Sequence, residues 1–172
     1  MTVPEKQLSG ITPNPLFLKR MNNRWLTGLF IAFKIPLAWI AGLRVDQVDP
    51  ESCSVSLPYG WKNQNPFKSI YFAALAMAAE MSTGMLGGLA CESVPESIAM
   101  LVVNMEGDFI KKANRRITFI SHDGPAFFAA IAETVKTGEP VTVKSVSEGV
   151  TADGTVVARF TFTWSFKKRS RS

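Results

Sequence analysis

Histidine occurs once in the chain, at His122, and cysteine twice, at Cys53 and Cys91. One histidine excludes a metal site built on several imidazoles and leaves a nucleophile–histidine–acid triad only His122 to use. The cysteines form no C-x-x-C or other ligand spacing, so no metal and no cofactor is expected. Two unpatterned cysteines fit a reducing compartment, and the expected location is cytoplasmic. Charge is also scarce. Charged residues make up 19% and apolar ones 47%, the balance of a rather hydrophobic globular chain. Of the 19 basic residues four lie in the last six positions, KKRSRS, which leaves 15 against 14 acids. A body so close to neutral carries no general footprint for nucleic acid, and the tail reads as a solvated, frayed terminus.

Long apolar runs are missing too. The nearest approach, WLTGLFIAFKIPLAWIAGL at Trp25–Leu43, is broken by Lys34 and Pro36 into pieces too short to cross a bilayer. The first 15 residues are polar and proline-rich, and no signal peptide is expected. Membrane contact is therefore not the expectation. A peripheral membrane role would draw on residues 16–41 and the basic tail.

No repeat, low-complexity run or linker divides the chain, so one domain is expected. It comprises an N-terminal helical extension over 13–41, a core over 42–168 and a basic tail over 169–172. A helix is expected over 13–34. Pro15 after Asn14 suits its start, Phe17, Met21, Leu29 and Phe33 share a broad face, and Pro36 ends or bends it. Gly42–Val48 and SCSVSL at 52–57 read as paired strands, the second alternating Cys53, Val55 and Leu57 with serines. Pro58, Gly60, Asn63, Asn65 and Pro66 mark a loop.

A long helix follows, about Ser69 to Leu89, apolar nearly all round and rich in alanine, with Gly87-Gly88 near its end. Strands are expected over 98–106, extended by Phe109–Lys112 past a kink at Gly107, and over 116–121. Asp123-Gly124-Pro125 opens a short helix to about Thr137, closed by Gly138. Residues 141–150 form a strand, and Asp153-Gly154 a hairpin turn. In the last strand Val156, Ala158, Phe160, Phe162, Trp164 and Phe166 share one face. The expected class is α+β, an antiparallel sheet around one central helix.

That central helix poses a chemical question. Between Ile70 and Leu89 it carries a single charge, Glu80. A lone carboxylate is costly to bury, so such a group is paired, protonated or set at the edge of a cavity. Glu80 is thus the first candidate for a functional group, against a buried structural acid. Met77, Met81, Met85 and Met100 read as core that can also line an apolar tunnel.

This plan resembles the hotdog fold, in which a curved antiparallel sheet wraps a long helix. More closely, the stretches NPFKSIYFAALAMAAEMSTG, GDFIKKA and DGTVVARFTFTWSFK resemble the thioesterase-related branch called domain-of-unknown-function family 4442. With AGLRVDQVDPESCSVSLPYGWKN the resemblance covers about residues 40–168. It implies a homodimer or dimer of dimers and hydrolysis of an acyl-CoA or related acyl thioester in a tunnel between subunits. In phenylacetyl-CoA-type thioesterases a polar residue precedes a His-Gly-Gly helix start, and an acid lies nine residues after the histidine. Carried over, the acid is Glu80, Tyr71-Phe72-Ala73 replaces His-Gly-Gly, and Asn65 is the upstream polar residue.

The resemblance thus gives Glu80 the part of general base or nucleophile. Amides near Tyr71 and Phe72 would hold the oxyanion, and Asn65 would position substrate or water. Phe72 and Ala73 add side chains where glycines let a carbonyl approach, and Tyr71 lacks the electrostatic part of a histidine. Ser69, Ser82 and Thr83 offer hydroxyls nearby. Lys111, Lys112, Arg115 and Arg116 in IKKANRR occupy a strand end where CoA phosphates would lie. The alternative function is a non-catalytic module that binds a fatty acyl chain or another apolar ligand.

Overall fold

The computed structural model describes residues 9–170. Three helices lead: α1 (Pro15–Met21), α2 (Arg24–Lys34) and α3 (Pro36–Ala41). The hairpin β1 (Arg44–Val48) and β2 (Cys53–Leu57) follows, then the long α4 (Phe72–Glu92). After it come β3 (Ile98–Phe109), β4 (Ile117–Ser121), α5 (Gly124–Thr137), β5 (Val141–Val150) and β6 (Val156–Lys168). The six strands form one antiparallel sheet in the order β1-β2-β4-β5-β6-β3. The sheet curves around α4, which packs on β2, β4, β5 and β6 and on α5. This is the hotdog arrangement.

The last strand builds the inner wall as its alternation requires. Ala158, Phe160, Phe162, Trp164 and Phe166 are all buried. Opposite them β5 turns in small residues, Ser145, Ser147 and Gly149. That spacing admits α4: Ser82 Oγ lies 2.7 Å from Ser147 Oγ. Gly87 is part of the same close packing rather than a helix end. A Cβ there would fall 2.5 Å from the methyl of Met100, and α4 runs on to Glu92. The most bilayer-like helix in the described residues, by length and composition, is therefore the core helix of the sheet.

Three local expectations change. The helix over 13–34 is two helices, because Asn22-Asn23 interrupts it. Asn23 Oδ1 accepts from the amides of Trp25 and Leu26 and starts α2 afresh. Asn22 holds both backbone groups of Val48, donating to its carbonyl at 2.7 Å and accepting from its amide at 2.9 Å. The break rotates α2, so Phe17 and Met21 are buried while Leu29 and Phe33 are exposed. Pro36 ends α2 and also opens α3 at its first position, where a missing N–H costs nothing. Finally, β3 runs unkinked through Gly107 and stops at Phe109, its irregularity lying between Val102 and Asn104. Gly107 is needed for contact: a Cβ there would come 2.6 Å from the Phe160 ring.

Candidate active site at the start of the central helix

The loop before α4 is organised by Asn65. Its Oδ1 accepts from the amides of Phe67 and Ser69 and from Ser69 Oγ. Asn65 and the Ser69 hydroxyl thus hold the turn, and the Asn65 amide nitrogen alone remains uncommitted to any described residue. Ile70 N–H reaches Ala113 O at 2.7 Å and ties this loop to the segment after β3. Tyr71 is the N-cap of α4, with φ −63° and ψ 136°, and no side chain caps the helix.

That missing cap matters. The Tyr71 N–H donates to Asn63 O at 2.7 Å, so it is not an oxyanion donor as expected. The amides of Ala74 and Leu75 turn back to Tyr71 O. Phe72 and Ala73 are left with backbone N–H groups that no described residue accepts, at the positive end of the helix dipole. Beside Phe72 opens a hollow of about 350 Å³ lined by Asn65, Ser69, Tyr71, Phe72, Phe109 and Ala113, among others. The added side chain of Phe72 turns to its neighbours, 4.8 Å from the Tyr71 ring and 6.5 Å from that of Phe109. Phe109 is the wall that sequence reasoning missed. Its one signal was an aromatic ending an apolar strand.

Glu80 stands apart from this hollow. It lies eight residues beyond Phe72, or about 12 Å along the axis at 1.5 Å per residue. No described residue hydrogen-bonds or ion-pairs with its carboxylate, yet neither oxygen is sealed from solvent. A Cβ on Gly84 would lie 3.3 Å from Glu80 Oε1 and 3.4 Å from the Trp164 ring, which places the carboxylate between one helical turn and β6. Desolvation raises its pKa above the usual carboxylate value. An accessible, unpartnered acid with raised pKa is the state a general base near neutral pH requires.

The other expected groups divide. Thr83 is fully buried, accepts from Trp164 Nε1 at 3.0 Å and donates to Glu80 O, so it packs rather than faces the hollow. Arg116 donates to Ser56 Oγ, which donates in turn to Asp46. Arg115 pairs with Asp153 at 3.7 Å. Both arginines are therefore drawn away from the hollow. Lys111 and Lys112 are exposed, without a partner among the described residues, and lie between two lining residues, Phe109 and Ala113. His122 is exposed beside α5 and has no side-chain partner there. Burial pushes both thiols up, that of Cys91 to about 12, so neither is a ready nucleophile. No group of metal-ligating side chains occurs among the described residues.

The family model for Domain of unknown function (DUF4442) matches residues 23–166. The chain belongs to this family. Solved structures of low identity share its fold. A Chlorobaculum tepidum protein of unknown function superposes with a TM-score of 0.71 at 14% identity, covering 85% of this chain and 97% of its own. A Pseudomonas aeruginosa protein of unknown function, named a probable thioesterase, gives 0.66 at 22% identity over 91% and 98%. A Haemophilus influenzae thioesterase gives 0.63 at 10% identity over 85% and 91%. No curated protein matches the sequence. The chain is thus a hotdog-fold protein of the DUF4442 family.

Proposed function

We propose that this DUF4442 protein is a homodimeric hydrolase of acyl-CoA or a related acyl thioester, each active site being shared between two subunits. The observation that carries the reading is the separation of its parts. Glu80 and the free amides of Phe72 and Ala73 suit one reaction, but about 12 Å of helix divides them within a chain. A thioester carbonyl must meet base and oxyanion donors within about 3 Å of each. A second subunit supplies the missing half. β3 offers the place for it: an edge strand 12 residues long with Leu101, Val103 and Met105 exposed.

In the reaction, the Glu80 carboxylate takes a proton from water as the water oxygen bonds to the thioester carbon. The carbonyl π electrons move to oxygen, where the partner subunit's helix start holds the negative charge through two N–H groups. The tetrahedral intermediate collapses, the C–S bond breaks, and the protonated Glu80 returns its proton to the departing sulfur. The products are a carboxylic acid and a free thiol. Lys111 and Lys112 stand where exposed ammonium groups can meet the phosphates of a CoA-type carrier. The aromatic hollow takes the acyl end.

A panel of acyl-CoAs of increasing chain length, read by release of thiol, tests the proposal. Turnover above background is expected for at least one chain length, and Glu80→Gln abolishes it while the dimer persists. No turnover across the panel removes the enzymatic reading. The non-catalytic alternative, an acyl-binding module, draws on the side chains of Phe72 and Ala73 at the helix start. Fatty acid co-purifying with a turnover-free protein, seen by mass spectrometry, selects it.

A further inference from the structure

Nine large apolar side chains are exposed between Leu16 and Ile40, among them Trp25 at 84% and Phe33 at 82%. They lie on α1, on α2 and α3, and on the joint between the last two. Their burial pattern is inverted for a helix that serves only its own core. In α2, Thr27 and Ile31 face inward, while Trp25, Leu26, Leu29 and Phe33 face out. In α3, Ala38 and Ala41 are inside and Leu37, Trp39 and Ile40 outside. A surface this apolar has an occupant.

Charge says which occupant. From Ser9 to Val45 the sequence has no Asp or Glu, and it has Lys19, Arg20, Arg24, Lys34 and Arg44. None of the five forms a salt bridge within the described residues. Between α2, α3 and β1 lies a hollow of about 780 Å³ whose walls include Trp25, Leu29, Trp39 and Leu43, with Arg24 and Arg44 beside them and one acid, Asp46, which accepts from Ser56 Oγ. Tryptophan, phenylalanine and leucine flanked by cations are the side chains of a membrane interface, where rings sit at headgroup depth and cations meet anionic lipid. A second copy fits less well. Two such surfaces would bring like charge against like charge, and self-pairing already has β3, at the opposite edge of the sheet from β1.

We propose that α2 and α3 form a docking surface for an anionic lipid bilayer, seated in the interface rather than spanning it. The full-length protein is mixed with vesicles of phosphatidylcholine alone or with 30% phosphatidylglycerol, and bound protein is measured by flotation. Binding is expected on the anionic vesicles and weakens in high salt. Arg24→Glu with Lys34→Glu lowers it by about 25-fold or more, at roughly fivefold per basic residue removed. Trp25→Ser, Phe33→Ser and Trp39→Ser together abolish it. Hydrogen exchange on the unaltered protein gives an independent reading, with protection on anionic vesicles confined to residues 24–41. No flotation with either vesicle overturns the proposal. So does protection elsewhere with 24–41 unchanged, or loss of a self-assembled state in the triple variant without vesicle binding in the parent.

Discussion

The two edges of the sheet are built in opposite ways. β1 has five residues, carries Arg44 and Asp46, is irregular between Val45 and Gln47, and is flanked by α1 and α2. These are the devices by which proteins blunt an edge against pairing. β3 has 12 residues, opens on the apolar run Ile98–Val103 and has only β6 beside it. An edge left long, apolar and uncovered is one that pairs. The contrast also locates the chemistry, because β3 ends at Phe109 against the free helix start, while the β1 side carries the exposed tryptophans.

The contrast breaks most sharply if charge is placed on β3. Leu101→Lys with Val103→Lys is expected to weaken the dimer by about 100-fold or more, seen as monomer in sedimentation velocity. Thiol release is lost with it. Gln47→Lys on β1 leaves the dimer intact. Equal masses for both variants would show that β3 is not the seam.

Next comes packing behind each edge. Gly107→Val drives a side chain into Phe160, and overpacking of this kind costs about 1–3 kcal/mol, or about 2–12 °C in Tm. Gly28→Ala, in α2 near β1, meets nothing within 4 Å. It is expected to gain up to about 1 kcal/mol of helix propensity. Calorimetry of the two variants checks both signs.

Glu80 gives a smaller effect with a defined sign. Burial raises its folded pKa above the unfolded value, so the native state holds the proton more tightly. Its contribution to stability is full below the unfolded pKa and is lost as pH rises through the raised folded value. Glu80→Gln therefore raises Tm at neutral pH, and the gain disappears in acid. Activity runs the other way, because the base must be ionised: kcat/KM climbs with pH through the same raised pKa. A pH profile flat across that range, or a Gln variant less stable at pH 7, would contradict the assignment. Smallest is the expected effect of Lys111→Ala and Lys112→Ala, about two- to fivefold each in KM for an acyl-CoA with kcat unchanged.

The core was legible because its signals were periodic. β6 alternates cleanly, α4 is apolar all round, and Asn14, Gly138 and Asp153-Gly154 do at their ends what those residue types do elsewhere. The helical extension was less so. Asn22 looks like any polar helix residue until Val48, 26 positions on, comes to pair with it. At the helix start, Asn65, Tyr71 and Phe72 were named by the resemblance, whose motif was laid on the chain with Glu80 as its acid. Which amides stay free depends on Asn63 O, whose position only the folded loop determines. Lys111 through Arg116 read as one basic cluster, yet the turn into β4 sends Arg115 to Asp153 and Arg116 to Ser56, while Lys111 and Lys112 have no partner among the described residues.

Subunit mixing tests the shared site most directly. Phe72→Pro deletes one oxyanion donor at a position that accepts proline, since Tyr71 is already extended. Phe72→Ala controls for the lost ring. Glu80→Gln and Phe72→Pro homodimers should each be inactive. Dissociated and reassociated at equal amounts, half the dimers are mixed, and each holds one site with neither change, so about a quarter of the unaltered thiol-release rate returns. Mixed dimers confirmed by native mass spectrometry but without any recovered rate would show that Glu80 and the helix start of the other subunit do not share a site.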